Sequence, residues 1–193
     1  MGYSEQIKTV FDKEIEALNI TKDSIGSELN DIIDALSKCE GKVVFSGIGK
    51  SGHISAKIAS TFSSLGTPSI YMHPAEAKHG DLGLLNKTDI VVLVSYSGES
   101  EEVLSLLPYI KDQKIKSIAV TGNKESTLYK KCDLAYCFPK FEEATRFGIA
   151  PTSSTTALLA FGDALAVVLS DIKDFGKADF AAIHPGGVLG EKL

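Results

Sequence analysis

Cysteine is scarce in this chain: Cys39, Cys132 and Cys137 are the whole complement, an odd number with no CxxC pair. That argues against a secreted disulfide scaffold and against a cysteine-built structural zinc site, and it points to a reducing cytoplasm. A basic excess is lacking too. The 20 Lys and Arg are outnumbered by 25 Asp and Glu, for a formal net charge of −5. No broad positive surface for nucleic acid is therefore expected. Long apolar runs are missing as well. The stretch from Met1 to Leu18 carries charges throughout and offers no signal-peptide core. The longest apolar run, 157–169, contains Asp163 and reads as too short for a membrane span. Gly2 is not followed by the Ser or Thr of a myristoylation signal, because Gln6 occupies that place. There is no repeat, no low-complexity segment and no Pro/Gly linker. The 193 residues, 44% hydrophobic, read as one compact soluble domain.

What is present changes character along the chain. Ile7, Val10, Phe11, Ile15 and Leu18, then Ile25, Leu29, Ile32, Ile33 and Leu36, recur at helical spacing over 5–18 and 24–38. These predict two amphipathic helices in a leading segment, 1–40, that packs on the core or on another subunit. Beyond it, over 41–193, short apolar runs alternate with helical segments. KVVFSG (42–47), SIYMH (69–73), DIVVLVSYS (89–97), KSIAVTG (116–122) and DLAYCFP (133–139) read as strands. Segments 51–65, 99–111, 125–131 and 153–169 read as helices, with a short one near 177–182. Continuous β-branched runs separated by helices predict an α/β fold with a parallel sheet covered on both faces. Ligands of such sheets sit at the carboxyl ends of the strands. Those ends carry SGIGKSG, HPAEAKHGD, SYSGES and TGNKES.

The first of these loops, Gly47-Ile48-Gly49-Lys50-Ser51-Gly52, matches GxGxxG after a strand. A dinucleotide site also wants an acid near the end of the second strand; Ile70-Tyr71-Met72-His73 has none, and the first acid is Glu76. A P-loop wants Gly where Val44 stands, so GKS is not a P-loop either. A Gly-rich turn at a helix N-terminus remains, suited to a single phosphate. In the second loop, Ser95, Ser97 and Ser100 surround Gly98 just before a helix. Serine there serves an ordinary N-cap; three of them beside another Gly-rich strand end suit a shared phosphate pocket.

Four histidines are candidate acid–base groups. His53 reads as a structural residue in a first helical turn, and His73 stands at a strand end before Pro74. His79 and His184 lie in polar, Gly-rich settings, His79-Gly80-Asp81 and His184-Pro185-Gly186, outside any apolar periodicity. Glu99, Glu101 and Glu102 open a helix where acids favour the dipole. Glu142 and Glu143 precede Arg146 and the hydroxyl-rich run Ala150 to Thr156. No set of residues has convincing metal-ligand spacing, although His73 with His79 is a conceivable pair, and no GxSxG elbow supports a hydrolase.

Taken together, GIGKSGHISAKIAS, HPAEAKHGDLG, SYSGES, EEATRFGIAPTSSTTALLAFGDALAV and DFAAIHPGGVLGEKL resemble the SIS (sugar isomerase) domain of arabinose-5-phosphate isomerases. The resemblance runs from about Gly41 to Leu193. The Gly and Ser loops are shared by SIS proteins generally; the segments around His79 and His184 are more specific to these isomerases. It implies a Rossmann-like, three-layer αβα sandwich with a five-stranded parallel sheet, preceded by N-terminal helices. It implies conversion of D-arabinose 5-phosphate and D-ribulose 5-phosphate, with no cofactor, feeding synthesis of the lipopolysaccharide and capsule sugar Kdo. It further implies a cytoplasmic homotetramer with active sites shared between subunits. Family catalytic positions fall on Lys50, His79, Glu102, Glu143 and His184. Phosphate-binding positions fall on Ser51, Ser95, Ser97 and Ser100, with Gly49. Many relatives carry Asn where Tyr96 stands, a residue expected to point away from the phosphate. Longer family members continue into paired CBS domains, which the segments matched here do not include.

Such an isomerisation moves a proton between C2 and C1 through an enediol, and it needs a base over C2 and stabilisation of charge on the carbonyl oxygen. Glu143 or His184 is the candidate base, with the other and His79 aiding ring opening, Lys50 stabilising charge and Glu102 positioning hydroxyls. Other readings are a non-catalytic phosphosugar-binding regulator, an SIS isomerase of another sugar phosphate, and a dinucleotide-dependent oxidoreductase. The joint presence of His79, Glu143 and His184 favours the enzyme over the regulator.

Overall fold

Five short runs of mostly β-branched and small residues pair side by side: β1 (Val43–Gly47), β2 (Ser69–Tyr71), β3 (Ile90–Val94), β4 (Lys116–Thr121) and β5 (Leu134–Cys137). They form one sheet in the order β2-β1-β3-β4-β5, parallel at every pairing. The computed structural model describes residues 2–186. The helices are α1 (Tyr3–Asp23), α2 (Glu28–Ser37), α3 (Gly49–Ser64), α4 (Pro74–Ala77), α5 (Glu101–Leu104), α6 (Leu107–Asp112), α7 (Thr127–Lys131), α8 (Ser153–Ile172) and α9 (Lys177–Ile183).

The in-register pairing of Val43, Ile90 and Lys116 sets which side chains share a face. Because side chains alternate along a strand, Val43, Phe45, Ile90, Val92 and Ile118 face one layer, and Val44, Val91, Leu93 and Ala119 the other. The first layer is α2, α3 and α8, through Leu36, Ile58, Phe62, Leu165 and Leu169. The second is α5, α6 and α7, through Val103, Leu107, Ile110 and Leu128. Strands buried on both sides have no polar face to show, which is why they read as unbroken apolar runs. The three-layer sandwich expected from the sequence is the observed fold.

Some boundaries differ, each for a local reason. The single helix expected over 99–111 is two, α5 and α6. Pro108 lacks the N–H that would bond to Leu104, and the break falls between those residues. The strand expected through His73 ends at Tyr71, because the His73 ring accepts a hydrogen bond from Ala75 N (3.3 Å) and caps α4. A 3-10 turn at Asp81–Leu84 was not anticipated. The last helix of the first layer is longer than expected: α8 spans 20 residues and is long and apolar enough to cross a membrane by length and composition. Its Ala157, Phe161, Leu165 and Leu169 are instead buried in the core of the sandwich.

Both leading helices pack on the sandwich, α1 along α8 and α2 against α8 and β5. Ala17 and Thr21 are the buried side of α1, and Thr156 Oγ1 donates to Glu14 at 2.9 Å. A stripe of Tyr3, Ile7, Phe11 and Ile15 on the same helix is exposed.

At the amino ends of the strands, Asp89 ties β1 to β3. It accepts hydrogen bonds from Lys42 N (2.9 Å), Lys42 Nζ (2.7 Å) and Asn86 N (2.8 Å), with only 2% of its side chain exposed. Burial pushes the carboxyl's pKa up, but these bonds and the Lys42 charge outweigh it and hold the group below the usual range. A lowered folded pKa stabilises the protein above the ordinary Asp value of about 3.9 and ceases to do so as pH falls through the folded value. Asp89→Ala is expected to cost about 2–3 kcal/mol at pH 7 and markedly less at pH 3, measured by urea unfolding at both.

Candidate functional site

The polar centre of the molecule follows from the strand order. After β1 the chain enters α3 in the first layer; after the neighbouring β3 it enters α5 in the second. The two connections leave in opposite directions and open a crevice at the carboxyl ends of β1 and β3. The loops flanking that crevice are Gly47–Ser51 and Ser95–Ser100.

In the first loop, Gly49 takes φ +60° and begins α3 directly after the extended Ile48. The Tyr71 hydroxyl, its pKa pushed up by burial, donates to Gly47 O at 2.8 Å and fixes the loop from β2. Ser51 is half-buried and Lys50 exposed, and neither side chain has a hydrogen-bond or ionic partner among the described residues. That leaves a hydroxyl and an ammonium free beside the first N–H groups of a 16-residue helix.

The serine loop is wound on itself. Ser95 Oγ lies 2.9 Å from Ser100 Oγ and 3.4 Å from Ser97 Oγ. Gly98 N donates to Ser95 Oγ (3.1 Å) and Glu99 N to Ser97 Oγ (3.2 Å). Gly98 has φ +70°, and a Cβ there would overlap Ser126, so glycine is required for both conformation and space. Leu128 N donates to Gly98 O (3.1 Å), and Thr127 N to the Glu99 carboxylate (2.6 Å). Glu99 therefore pins the loop to α7, and the Thr127 amide lowers its pKa. Glu102 is half-buried on α5, and its carboxylate has no partner among the described residues.

A cavity of about 200 Å³ gathers Ser51, Tyr96, Thr121, Glu143, Ser154 and Thr155 over apolar walls that include Val94 and Val120. It lies at the expected ends of β1, β3 and β4. A larger open hollow of about 580 Å³ lies at the opposite ends of the strands, around Lys38, Lys87, Asp89 and Lys116, and no Gly- or Ser-rich loop reaches it.

Glu143 has a clear local task. Its Oε2 accepts from Thr152 N (2.6 Å), Thr152 Oγ1 (3.0 Å) and Ser154 N (3.3 Å), so it caps α8 from outside the helix. Burial raises its pKa, but hydrogen bonds from the Ser154 side chain, the Thr152 and Ser154 amides and the Thr152 hydroxyl prevail and hold it below the usual range. The capping run Thr152 to Thr156 is the hydroxyl cluster visible in the sequence.

The remaining candidates stand apart from the cavity's lining residues. His79 is exposed in the turn after α4. His184 ends α9, stacked on Phe180 with ring centroids 3.9 Å apart. Its Nδ1 lies 2.9 Å from Phe180 O. A carbonyl oxygen only accepts, so Nδ1 carries the proton and a neutral His184 leaves Nε2 as a proton acceptor. The rest of its motif, 187–193, lies outside the described residues. His53 is exposed on α3, and His73 is engaged as the cap of α4. Among the described residues no three His, Cys, Asp or Glu are grouped as metal ligands. Tyr71, which sequence reasoning passed over, is a structural partner of the site because it holds the first loop, and Tyr96, singled out only for replacing a common Asn, lines the cavity.

Residues 35–168 match the SIS domain family. Along its full length the chain is 49% identical to the arabinose 5-phosphate isomerase KdsD of Yersinia pestis, of which it spans 59%. It is 51% identical to the protein of the same name from Escherichia coli K12 over 80% of this chain and 47% of that one. The chain thus spans about half to three-fifths of these curated relatives. Among solved structures, E. coli CFT073 c3406 in complex with arabinose 5-phosphate superposes with a TM-score of 0.93 at 44% identity, covering 96% of this chain and 100% of that one. The Vibrio vulnificus NanR protein complexed with ManNAc-6P, at 17% identity, shares the fold with a TM-score of 0.79, over 93% of this chain and 67% of that one. With the family model covering the sheet, both phosphate-type loops and most of α8, the chain belongs to the SIS domain family.

Proposed function

We propose that this chain is an aldose–ketose isomerase interconverting D-arabinose 5-phosphate and D-ribulose 5-phosphate. The observation that carries the reading is the 44% identity, over the whole of that chain, to a structure in complex with arabinose 5-phosphate. Relatives named arabinose 5-phosphate isomerase, matched over 80–100% of this chain, support it. In this reading the enzyme is cytoplasmic and supplies the aldose for Kdo synthesis.

In this reading the substrate's phosphate sits in the crevice, bound by the N–H groups of Gly49 and Ser51 and the hydroxyls of Ser51, Ser95, Ser97 and Ser100. Helix dipoles and bare amides favour the dianion there. The sugar then extends into the cavity beneath Glu143. Lys50 stabilises negative charge as the carbonyl oxygen takes on enediolate character. His184 carries the C2 proton: its Nδ1 is already occupied by the Phe180 carbonyl, which orients Nε2 as the base. Glu143 is less suited to that step, since the bonds from Thr152 and Ser154 occupy its Oε2 and lower its pKa, making it a weaker base. It fixes the roof of the site, while His79 and Glu102 handle ring opening and the sugar hydroxyls. The reaction itself consumes no redox equivalent and needs no cofactor.

His79 and His184 lie outside the cavity of a single chain, and α1 exposes an apolar stripe of Tyr3, Ile7, Phe11 and Ile15. Both support a homotetramer in which a neighbouring subunit completes each site.

Incubation with arabinose 5-phosphate is expected to yield ribulose 5-phosphate, detected by a ketose assay. Binding without turnover would replace the enzyme reading with that of a phosphosugar regulator. In deuterated water, His184→Ala is expected to slow exchange at C2 by about 10²–10⁴-fold; wild-type exchange would remove His184 from the base role. Glu143→Gln is expected to lower stability by about 1 kcal/mol at pH 7, through loss of the charged cap. Because the folded pKa is lowered, that difference is present above the ordinary Glu value of about 4.3 and fades as pH falls through the folded one. Chemical unfolding of both proteins at pH 7 and pH 3 measures it.

A further inference from the structure

Tyr96 interrupts a row of serines with a large amphipathic side chain, and its surroundings give that side chain one orientation. Its backbone is fixed: the carbonyl accepts from Gly122 N (2.8 Å) and Thr121 Oγ1 (3.1 Å). Its ring lies against Phe141, with centroids 6.1 Å apart. It also lies over Gly122, where an added Cβ would come within 2.7 Å of ring atoms Cε2 and Cζ. The three nearest obstacles to that Cβ are all atoms of this ring, and Gly122 has no positive φ, so the ring is what the glycine makes room for. The side chain lines the same cavity as Ser51 and Glu143. Among the described residues no protein group hydrogen-bonds the phenol hydroxyl, and with 37% of the residue exposed this donor is accessible to a ligand entering the cavity. Burial, then the charge of Glu143, raise the phenol's pKa and keep it a donor at neutral pH.

We propose that Tyr96 is a specificity-determining contact for the sugar, its hydroxyl donating to an oxygen of the sugar chain while its ring, seated on Gly122, closes the cavity between the serine loop and Glu143. This rests on the sugar-phosphate reading above and adds a residue to it. In that reading the phosphate is held by the Gly49 turn and by the serine hydroxyls that flank Tyr96 in its own loop, so the phenol hydroxyl contributes to recognition of the sugar and not of the anion.

Tyr96→Phe removes only the hydroxyl and keeps the packing on Gly122 and Phe141. Calorimetry with arabinose 5-phosphate and, separately, with inorganic phosphate distinguishes the two parts of the ligand. The expected result is about 5–10-fold weaker binding of the sugar phosphate, with inorganic phosphate binding unchanged and the loss carried by KM. Gly122→Ala, which shifts the ring without removing it, is expected to weaken sugar-phosphate binding as well. In a Tyr96→Ala background the same Gly122→Ala change is expected to add nothing, since its obstacle is gone. Wild-type sugar-phosphate affinity in Tyr96→Phe, or an equal loss for inorganic phosphate, would overturn the proposal. If the wild-type protein binds the sugar phosphate without turning it over, the isomerase reading falls and the Tyr96 contact is judged on binding alone. If it turns over and Tyr96→Phe is unaffected, the isomerase reading stands and Tyr96 has no such role. If it binds no sugar phosphate, both fall.

Discussion

Chain direction at two neighbouring strands organises this molecule. β1 and β3 lie side by side, yet the helices that follow them are buried in opposite layers. Hydrogen bonds cannot hold two diverging connections together, so a crevice opens between them, and whatever polar groups the loops carry must face it. Asp89 fixes the other end of the same pair of strands through Lys42. A buried, paired carboxylate at one end and an open, hydroxyl-lined crevice at the other make the sheet polar along its strands. The Gly47 and Ser95 loops can be short because the strands deliver them to the crevice directly.

The serines of the second loop illustrate how such a site is kept ready without ligand. Ser95, Ser97 and Ser100 satisfy one another and the Gly98 and Glu99 amides. Hydroxyls paired this way can exchange a neighbour for a phosphate oxygen at little cost, since one hydrogen bond replaces another. The loop as a whole does not have to move, because Glu99 and Gly98 are tied to α7. Rigidity comes from the anchors and adaptability from the hydroxyl rotors, which suits a pocket for a tetrahedral dianion.

Legibility in the sequence followed the nature of each signal. Strands buried on both faces are apolar along their whole length, so all five were readable, as was the Gly/Ser character of their carboxyl ends. What failed to show depends on contacts between distant residues. The role of His73 stayed open in the sequence, because the Ala75 amide that its ring accepts from is set only by the start of α4. Glu143 read as a candidate base, while its engagement by Thr152 and Ser154 exists only once α8 starts there. Tyr96 was expected only to point away from the phosphate; that its ring rests over Gly122, beyond the end of β4, could not be seen locally. Pro108 was the exception, a local signal present in the sequence that the helix expected over 99–111 did not take into account.

The distribution of candidate groups also bears on the proposal that sites are shared between subunits. Ser51, Tyr96 and Glu143 share a cavity, whereas His79 lies exposed and His184 sits at the end of α9. An acid–base group acts only within about 3 Å of the proton it moves, directly or through one water. A site that uses these histidines must therefore bring them to the crevice from elsewhere. The exposed stripe of α1 offers the means: Tyr3, Ile7, Phe11 and Ile15 present a continuous apolar face that the chain's own core leaves uncovered. Covering that face with the same face of another copy would bury surface on both, and burial is the term that drives association. The inner side of α1 packs along α8, the helix whose N-terminus Glu143 caps, so α1 is joined through α8 to the residue that roofs the cavity.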